Sequence, residues 1–394
     1  MQKDANRDSK INNLLTRGVE EIIDKDSLMA KLRSGKKLRI KLGIDPTSPN
    51  IHLGRSIPLL KLRDFQELGH EIIFIIGDFT GVIGDTSDKD SERPMLEEDT
   101  IKKNLKTYID QASRIIDTRK AKIYKNSKWL SKLDYSDVAR QANVFSLNDF
   151  ISRENIAKRL ASGKRVSLRE VLYPLMQGYD SVDVKADVEI GGTDQRFNLL
   201  AGRDLQRVYG QAPQDILTSP LVEGLDGRKM SSSWGNTINL TDKPNDMFGK
   251  LMSLKDEFII KYFTLLTRVS LERVGTYERE MADGSNPRDV KMALAYEIVR
   301  MYHSLKDAEM AKNYFISAFS NKEIPNEIPK IKPKRYEIVS FLIETGTVTS
   351  KSEAKRVIAQ SGVKINRKTL TDADYILKPG DVVQKGKQVF FDVL

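Results

Sequence analysis

Two apolar strands joined through a single helix constrain this chain more than any other feature. Lys37–Ile44 alternates Leu38, Ile40, Leu42 and Ile44, the period of a strand. A turn-rich stretch follows, Asp45-Pro46-Thr47-Ser48-Pro49-Asn50, then a helical pattern from about Gly54 to Leu68 that Gly69 stops. Glu71–Ile76 contains Ile72-Ile73-Phe74-Ile75-Ile76, apolar enough for a strand covered on both faces. Strand, helix, strand in that order calls for a parallel sheet with crossover helices. The pattern returns at Asp187–Ile190 (strand), Thr193–Val208 (helix) and Ile216–Val222 (strand). The expectation is an α/β chain with a Rossmann-like, doubly wound parallel sheet.

At 394 residues the chain is too long for one ordinary core. From about Lys243 to Phe319 apolar residues step by three and four (Leu251, Leu254, Phe258, Tyr262), which predicts helices. Asn321–Lys334 sets Pro325, Pro329 and Pro333 among charges, the composition of a stiff linker. Beyond it, two helical patterns accompany Val363-Lys364-Ile365 and Val389–Val393. The expected division is a catalytic domain with an insert at 1–240, an α-helical domain at 241–320, a linker at 321–334 and a small α+β domain at 335–394.

The longest apolar run is only strand length, so no membrane span is expected, and the charged start Met1-Gln2-Lys3-Asp4 points to the cytoplasm. With no cysteine, disulfides and thiolate metal sites are excluded. His52, His70 and His303 lack ligand spacing, so no resident metal is expected. The net charge is +10, and residues 330–394 hold 13 Lys and Arg against 7 Asp and Glu. More than half the excess thus sits in the tail, which favours a polyanionic partner.

Three segments carry candidate chemistry. In the turn after the first strand, the helix start offers N–H groups to phosphate, Gly54 permits close approach, and Thr47 and His52 can donate to a phosphate oxygen. The loop Asp226-Gly227-Arg228-Lys229-Met230-Ser231-Ser232-Ser233 joins two cations to small hydroxyl residues, suited to closing over a triphosphate. Gly191-Gly192-Thr193-Asp194-Gln195 places paired glycines and an acidic side chain between strand and helix, where ribose hydroxyls are held in such sheets. Singly, each has an ordinary reading: a polar loop, an exposed basic turn, a helix cap. Together and in this order they are far more specific.

They resemble the two signatures of class I aminoacyl-tRNA synthetases, a His-x-Gly-His turn and a Lys-Met-Ser-Lys-Ser loop. Over nearly its full length the chain is similar to the bacterial tyrosyl-tRNA synthetases, through Lys41-Leu42-Gly43-Ile44-Asp45-Pro46-Thr47, Gly81-Val82-Ile83-Gly84-Asp85, Tyr173-Pro174-Leu175-Met176-Gln177-Gly178-Tyr179-Asp180 and Gly191–Gln195. The resemblance implies an enzyme that joins tyrosine to AMP, releases pyrophosphate and passes the tyrosyl group to the 3′ end of tyrosine tRNA. ATP enters as substrate with Mg2+. Asp85, Tyr173 and Gln177 would hold the tyrosine ammonium, Asp180 the phenol, and Gln195 the carboxylate or adenylate. Gly43, Asp45, Gly54, Gly192 and Asp194 would line the nucleotide site with Met230, Ser231, Ser232 and Ser233, while Thr47, His52, Lys89, Arg93 and Lys229 meet its phosphates. Catalysis is then placement and charge stabilisation, because the substrate carboxylate is itself the nucleophile.

Three departures stand out. Arg55 replaces the second histidine of the turn and would still donate to the nucleotide, Ser232 replaces the second lysine of the loop, and Lys41 stands at a tyrosine-binding position where some members place a tyrosine against the phenol. A Lys41–Asp180 contact is one expectation from that exchange. Arg335–Leu394 resembles the RNA-binding domain first seen in a ribosomal small-subunit protein, with Lys351, Lys355 and Arg356 at near-helical spacing against phosphates. A homodimer follows by family analogy. The rivals are a tryptophanyl-tRNA synthetase, an RNA-binding paralogue without catalysis and a small-molecule adenylyltransferase.

Overall fold

The computed structural model describes residues 2–85, 95–320, 328–386 and 389–394. Its main sheet contains β1 (Glu21–Ile23), β2 (Arg39–Ile44), β3 (Glu71–Ile76), β4 (Lys122–Lys125), β5 (Val188–Gly192) and β6 (Asp215–Ser219), in the order β1-β6-β5-β2-β3-β4. Neighbours run parallel except β1, which is antiparallel to β6. From β2 the chain moves outward to β3 and β4, and from β5 it moves the other way to β6. The strand order therefore reverses between β2 and β5, and ligands of open α/β sheets bind beyond the carboxyl ends at such a point.

The expected strand–helix–strand unit is present: β2, helix α1 (Leu53–Glu67) and β3. The alternation in β2 hid one fact. Leu42 and Lys41 point to opposite faces, yet both are buried, so this strand is covered on both sides. Two strands were not legible. β1 is three residues long, too short for a period, and β4 begins and ends on lysine, as edge strands often do.

Helices α2 (Leu168–Asp183) and α3 (Arg196–Val208) pack tightly against each other. A Cβ at Gly178 would lie 3.2 Å from the carbonyl of Ala201, so glycine sets how close the two axes come. The far end of α1 is anchored by a partly buried charge cluster. Arg268 grips Asp64 with two nitrogens at 3.0 and 3.1 Å, and Lys61 donates to the Leu14 carbonyl at 2.6 Å. That fixes the axis whose other end enters the site.

The stretch expected to be helical carries Pro244–Met252, Ile259–Leu266, Leu271–Ala282, Pro287–Tyr302 and Leu305–Phe315. Compactness divides the chain into residues 1–243 with 250–302, and residues 244–249 with 303–394. In the second unit, β7 (Lys330–Ile331), helices α4 (Ile338–Glu344) and α5 (Lys351–Ala359), β8 (Val363–Ile365), β9 (Lys368–Thr369), β10 (Val382–Lys385) and β11 (Val389–Val393) enclose a core of Phe341, Leu342, Ile358, Val363 and Val383. Lys330 and Ile331 pair with Asp392 and Val393, so ordered structure begins inside the segment expected to be linker. Residues 321–327 of that segment lie outside the described residues. Among the described residues no helix is long and apolar enough to cross a membrane.

Candidate active site

A cleft of about 400 Å³ opens beyond β2 and β5, at the reversal of strand order. Its lining includes Gly43, Asp45, Thr47, His52, Gly54, Arg55, Asp85, Tyr173, Gln177, Asp180, Gly192, Asp194, Gln195, Lys229, Met230, Ser231, Ser232 and Ser233. Segments nearly 200 residues apart in sequence thus meet at one site. Lys89 and Arg93 lie in residues 86–94, outside the described residues.

At the deep end Asp180 is buried, only 3% exposed. Trp129 Nε1 donates to its Oδ1 at 2.7 Å and Asn126 Nδ2 to its Oδ2 at 3.3 Å. Burial pushes this carboxyl up to about 7, against the opposing pull of the Lys41 charge and of these two donors. Neither Asn126 nor Trp129 was a sequence candidate. They follow β4 in a segment without period or motif, and only the β3–β4 pairing brings them here.

Midway, Tyr173 donates its hydroxyl to Asp45 Oδ2 at 2.8 Å and Thr80 donates to Asp45 Oδ1 at 2.7 Å. Burial lifts the Asp45 carboxyl to about 6, partly offset by those two bonds. Gly77 is required beside them, because a Cβ there would stand 2.0 Å from Asp45 Oδ1. Asp45, expected on the nucleotide side, is thus hydrogen-bonded to Tyr173, a residue expected on the amino-acid side. Gln195 Nε2 donates to Asp85 Oδ2 at 2.6 Å, and Asn198 Nδ2 donates to Gln177 Oε1 at 3.0 Å and Gln195 Oε1 at 3.1 Å. Asn198, in the first turn of α3, has no motif around it that marks it in the sequence.

The start of α1 is less open than the sequence suggests. The N–H groups at the start of α1 are engaged: Leu53 donates to the Ile238 carbonyl at 2.8 Å, Gly54 to Met230 Sδ at 3.2 Å and Arg55 to His52 Nδ1 at 3.3 Å. His52 is the cap of its own helix. The thioether is a weak acceptor, so the Gly54 N–H is the one an anion can most readily claim. Arg55 reaches the cleft, donating to Thr47 Oγ1 at 3.1 Å, the Asp45 carbonyl at 3.2 Å and Tyr108 Oη at 2.9 Å. It ties down the turn that carries Thr47, work the usual histidine could do only in part.

In the loop, Lys229 pairs with Asp194 at 2.9 Å, and Ser232 Oγ donates to Ser48 Oγ at 3.3 Å. Arg228 is turned away from the cleft. It pairs with Asp226 at 2.5 Å and lies 4.7 Å over the Trp234 ring. Asn236 braces the loop base, accepting from Ser231 N at 2.8 Å and donating to the Lys229 carbonyl at 3.0 Å.

Lys41 is placed otherwise than the sequence suggested. Its ammonium meets Glu189 Oε1 at 2.9 Å, Ser181 Oγ at 2.7 Å and the Gln177 carbonyl at 2.8 Å, and not Asp180. In the second unit Lys351, Lys355 and Arg356 are all exposed on α5, capped by Ser350.

The profile of the family described as tRNA synthetases class I (W and Y) matches residues 33–320, and that of the S4 domain matches residues 338–383. The chain is 44% identical over 385 residues to the tyrosine–tRNA ligase of Thermotoga maritima, covering 96% of each chain. It is 45% identical over 398 residues to that of Carboxydothermus hydrogenoformans, covering 97% of each. Among solved structures, the tyrosyl-tRNA synthetase of Archaeoglobus fulgidus, complexed with L-tyrosine, shares the fold with a TM-score of 0.63 at 24% identity, covering 78% of this chain and 99% of that one. The chain belongs to the tryptophan- and tyrosine-type class I tRNA synthetases.

Proposed function

We propose that the chain is a tyrosine–tRNA ligase. It activates tyrosine with ATP and transfers the tyrosyl group to the 3′ end of tyrosine tRNA. The observation that carries the choice of tyrosine is the buried Asp180 carboxyl at the deep end of the cleft, an acceptor placed where a phenol O–H can donate. Asp85, Tyr173 and Gln177 receive the ammonium, and Gln195 the carboxylate side. A carboxylate oxygen attacks the α-phosphorus, the bond to the β-phosphate breaks, and pyrophosphate leaves toward Thr47, His52 and Lys229. Asp194 and Gly192 take the ribose, and Lys229 exchanges Asp194 for the departing charge. Magnesium enters on the nucleotide as part of the substrate. Tyrosine-dependent exchange of labelled pyrophosphate into ATP tests this reading. Exchange with tryptophan instead would reassign the pocket, and exchange with neither would leave an RNA-binding paralogue.

The exposed cations of α5 are the proposed tRNA contacts. Replacing Lys351, Lys355 and Arg356 together by alanine should leave pyrophosphate exchange intact, raise KM for tRNA about ten-fold near physiological salt and flatten its salt dependence. Unchanged salt dependence of charging would remove α5 from the interface. A homodimer is proposed with it. Tyr135, Leu147 and Leu160 in the insert between β4 and α2, and Leu168 at the start of α2, are exposed, and such large apolar side chains suit burial against a second copy. A sedimenting mass of one 44.7 kDa chain would exclude that. The cytoplasm is the proposed compartment, consistent with ATP and tRNA as substrates.

A further inference from the structure

Lys41 and Glu189 stand opposite each other in register on β2 and β5, the two strands at which the sheet order reverses. Both side chains are buried, at 0% and 1% exposure, beneath helix α2. An ion pair so deep is a poor way to gain stability, since desolvation offsets most of the attraction. What it contacts suggests another role. The three ammonium hydrogens of Lys41 have three acceptors: Glu189 Oε1, Ser181 Oγ and the Gln177 carbonyl. Glu189 in turn accepts from Gln177 Nε2 at 3.2 Å and Ser181 Oγ at 3.0 Å, and from Gln214 Nε2. The pair thus grips residues 177 and 181, one helical turn apart. Asp180 lies within that turn, and Gln177 continues through Asn198 to Gln195 and Asp85.

We propose that Lys41 and Glu189 are positioning residues for the amino-acid pocket, holding the 177–181 turn of α2 so that Gln177 and Asp180 face the substrate at fixed spacing. Lys41 touches no substrate; it replaces a direct phenol contact by a clamp on the groups that make the contacts. The clamp acts on the tyrosine half of the cleft, because none of its partners belongs to the Thr47, His52 or Lys229 end. Specificity then depends on a pair that the cleft does not expose: neither Lys41 nor Glu189 lines it.

This inference rests on the tyrosine reading, and the parent protein keeps the two separable: tyrosine-dependent exchange by the parent is required before any variant is interpreted. Lys41→Met with Glu189→Gln removes the pair without leaving one charge buried alone. The folded double variant should raise KM for tyrosine about ten-fold, keep KM for ATP within about two-fold, and lose discrimination against phenylalanine. Ser181→Ala removes one of the three acceptors without altering charge, and should raise KM for tyrosine about three-fold even if the double variant does not fold. A purely structural pair would lower the unfolding temperature and leave both KM values in place. Tyrosine and ATP constants within two-fold of the parent in folded Ser181→Ala, or a rise in both together in the double variant, would overturn the proposal.

Discussion

Asp180→Asn should lower kcat/KM for tyrosine by about 10- to 150-fold, the equivalent of losing one hydrogen bond to a charged group. The amide can still accept the Trp129 N–H, but it offers the phenol a neutral acceptor in place of a charged one. Phenylalanine never makes that bond, so its kcat/KM should hold or rise, and the ratio between the two substrates should narrow. The pH profile carries a second signature. Burial sets the Asp180 carboxyl at about 7 and Asp45 at about 6. In the parent, kcat/KM for tyrosine should rise with pH through about 7; in Asp180→Asn that limb should move down toward 6, where Asp45 remains. Stability should change in the opposite sense. An aspartate raised from 3.8 to about 7 binds its proton in the folded state while the unfolded chain has released it, so the parent loses stability as pH rises across that window. Three units correspond to on the order of 4 kcal/mol as an upper bound. The variant should therefore unfold at a higher temperature than the parent at pH 8 and show little advantage at pH 4. Equal unfolding temperatures at pH 8, with tyrosine and phenylalanine kinetics unchanged, would mean that Asp180 is neither a costly charge nor the phenol acceptor.

The same residue shows how far the sequence could be read. Asp180 was legible because it sits in a motif, Tyr173–Asp180, and so were Gly191–Gln195 and the loop at Lys229. The α/β order was legible because β2 alternates, β3 is an unbroken apolar run and the helix between them has fifteen residues. What holds Asp180 in place was not. Asn126 and Trp129 arrive through an edge strand bounded by lysines, and nothing local marks them. Lys41 was legible as an exchange but not as a partner. Resemblance to a phenol-contacting position points Lys41 toward Asp180, whereas cross-strand register, invisible in one dimension, pairs it with Glu189. The sequence at His52 suggests a helix start open to phosphate, and the structure fills it with Ile238, Met230 and the histidine itself. Segments that fold back on a site from far along the chain supply partners that motif spacing cannot show.

Lys229→Met should cause the largest loss on the ATP side, about 10²- to 10³-fold in the rate of pyrophosphate exchange at saturating substrates, with KM for tyrosine nearly unchanged. The reason is arithmetic of charge. The family's loop usually brings two lysines to the triphosphate, and this chain has Ser232 at the second position. Arg228 does not fill the gap as it stands, because its guanidinium is held by Asp226 and the face of Trp234. Lys229 is thus the loop cation already inside the cleft, paired with Asp194. Removing it also leaves the Asp194 carboxylate facing the incoming phosphates, which adds repulsion to the lost attraction. The interaction strengthens as negative charge moves onto the departing pyrophosphate, so the loss should fall on kcat and not on tyrosine binding. Arg228→Ala should be mild by comparison. If Arg228→Ala and Lys229→Met lose activity equally, the Asp226–Trp234 seat of Arg228 is a resting place, and two cations still act on the leaving group despite Ser232.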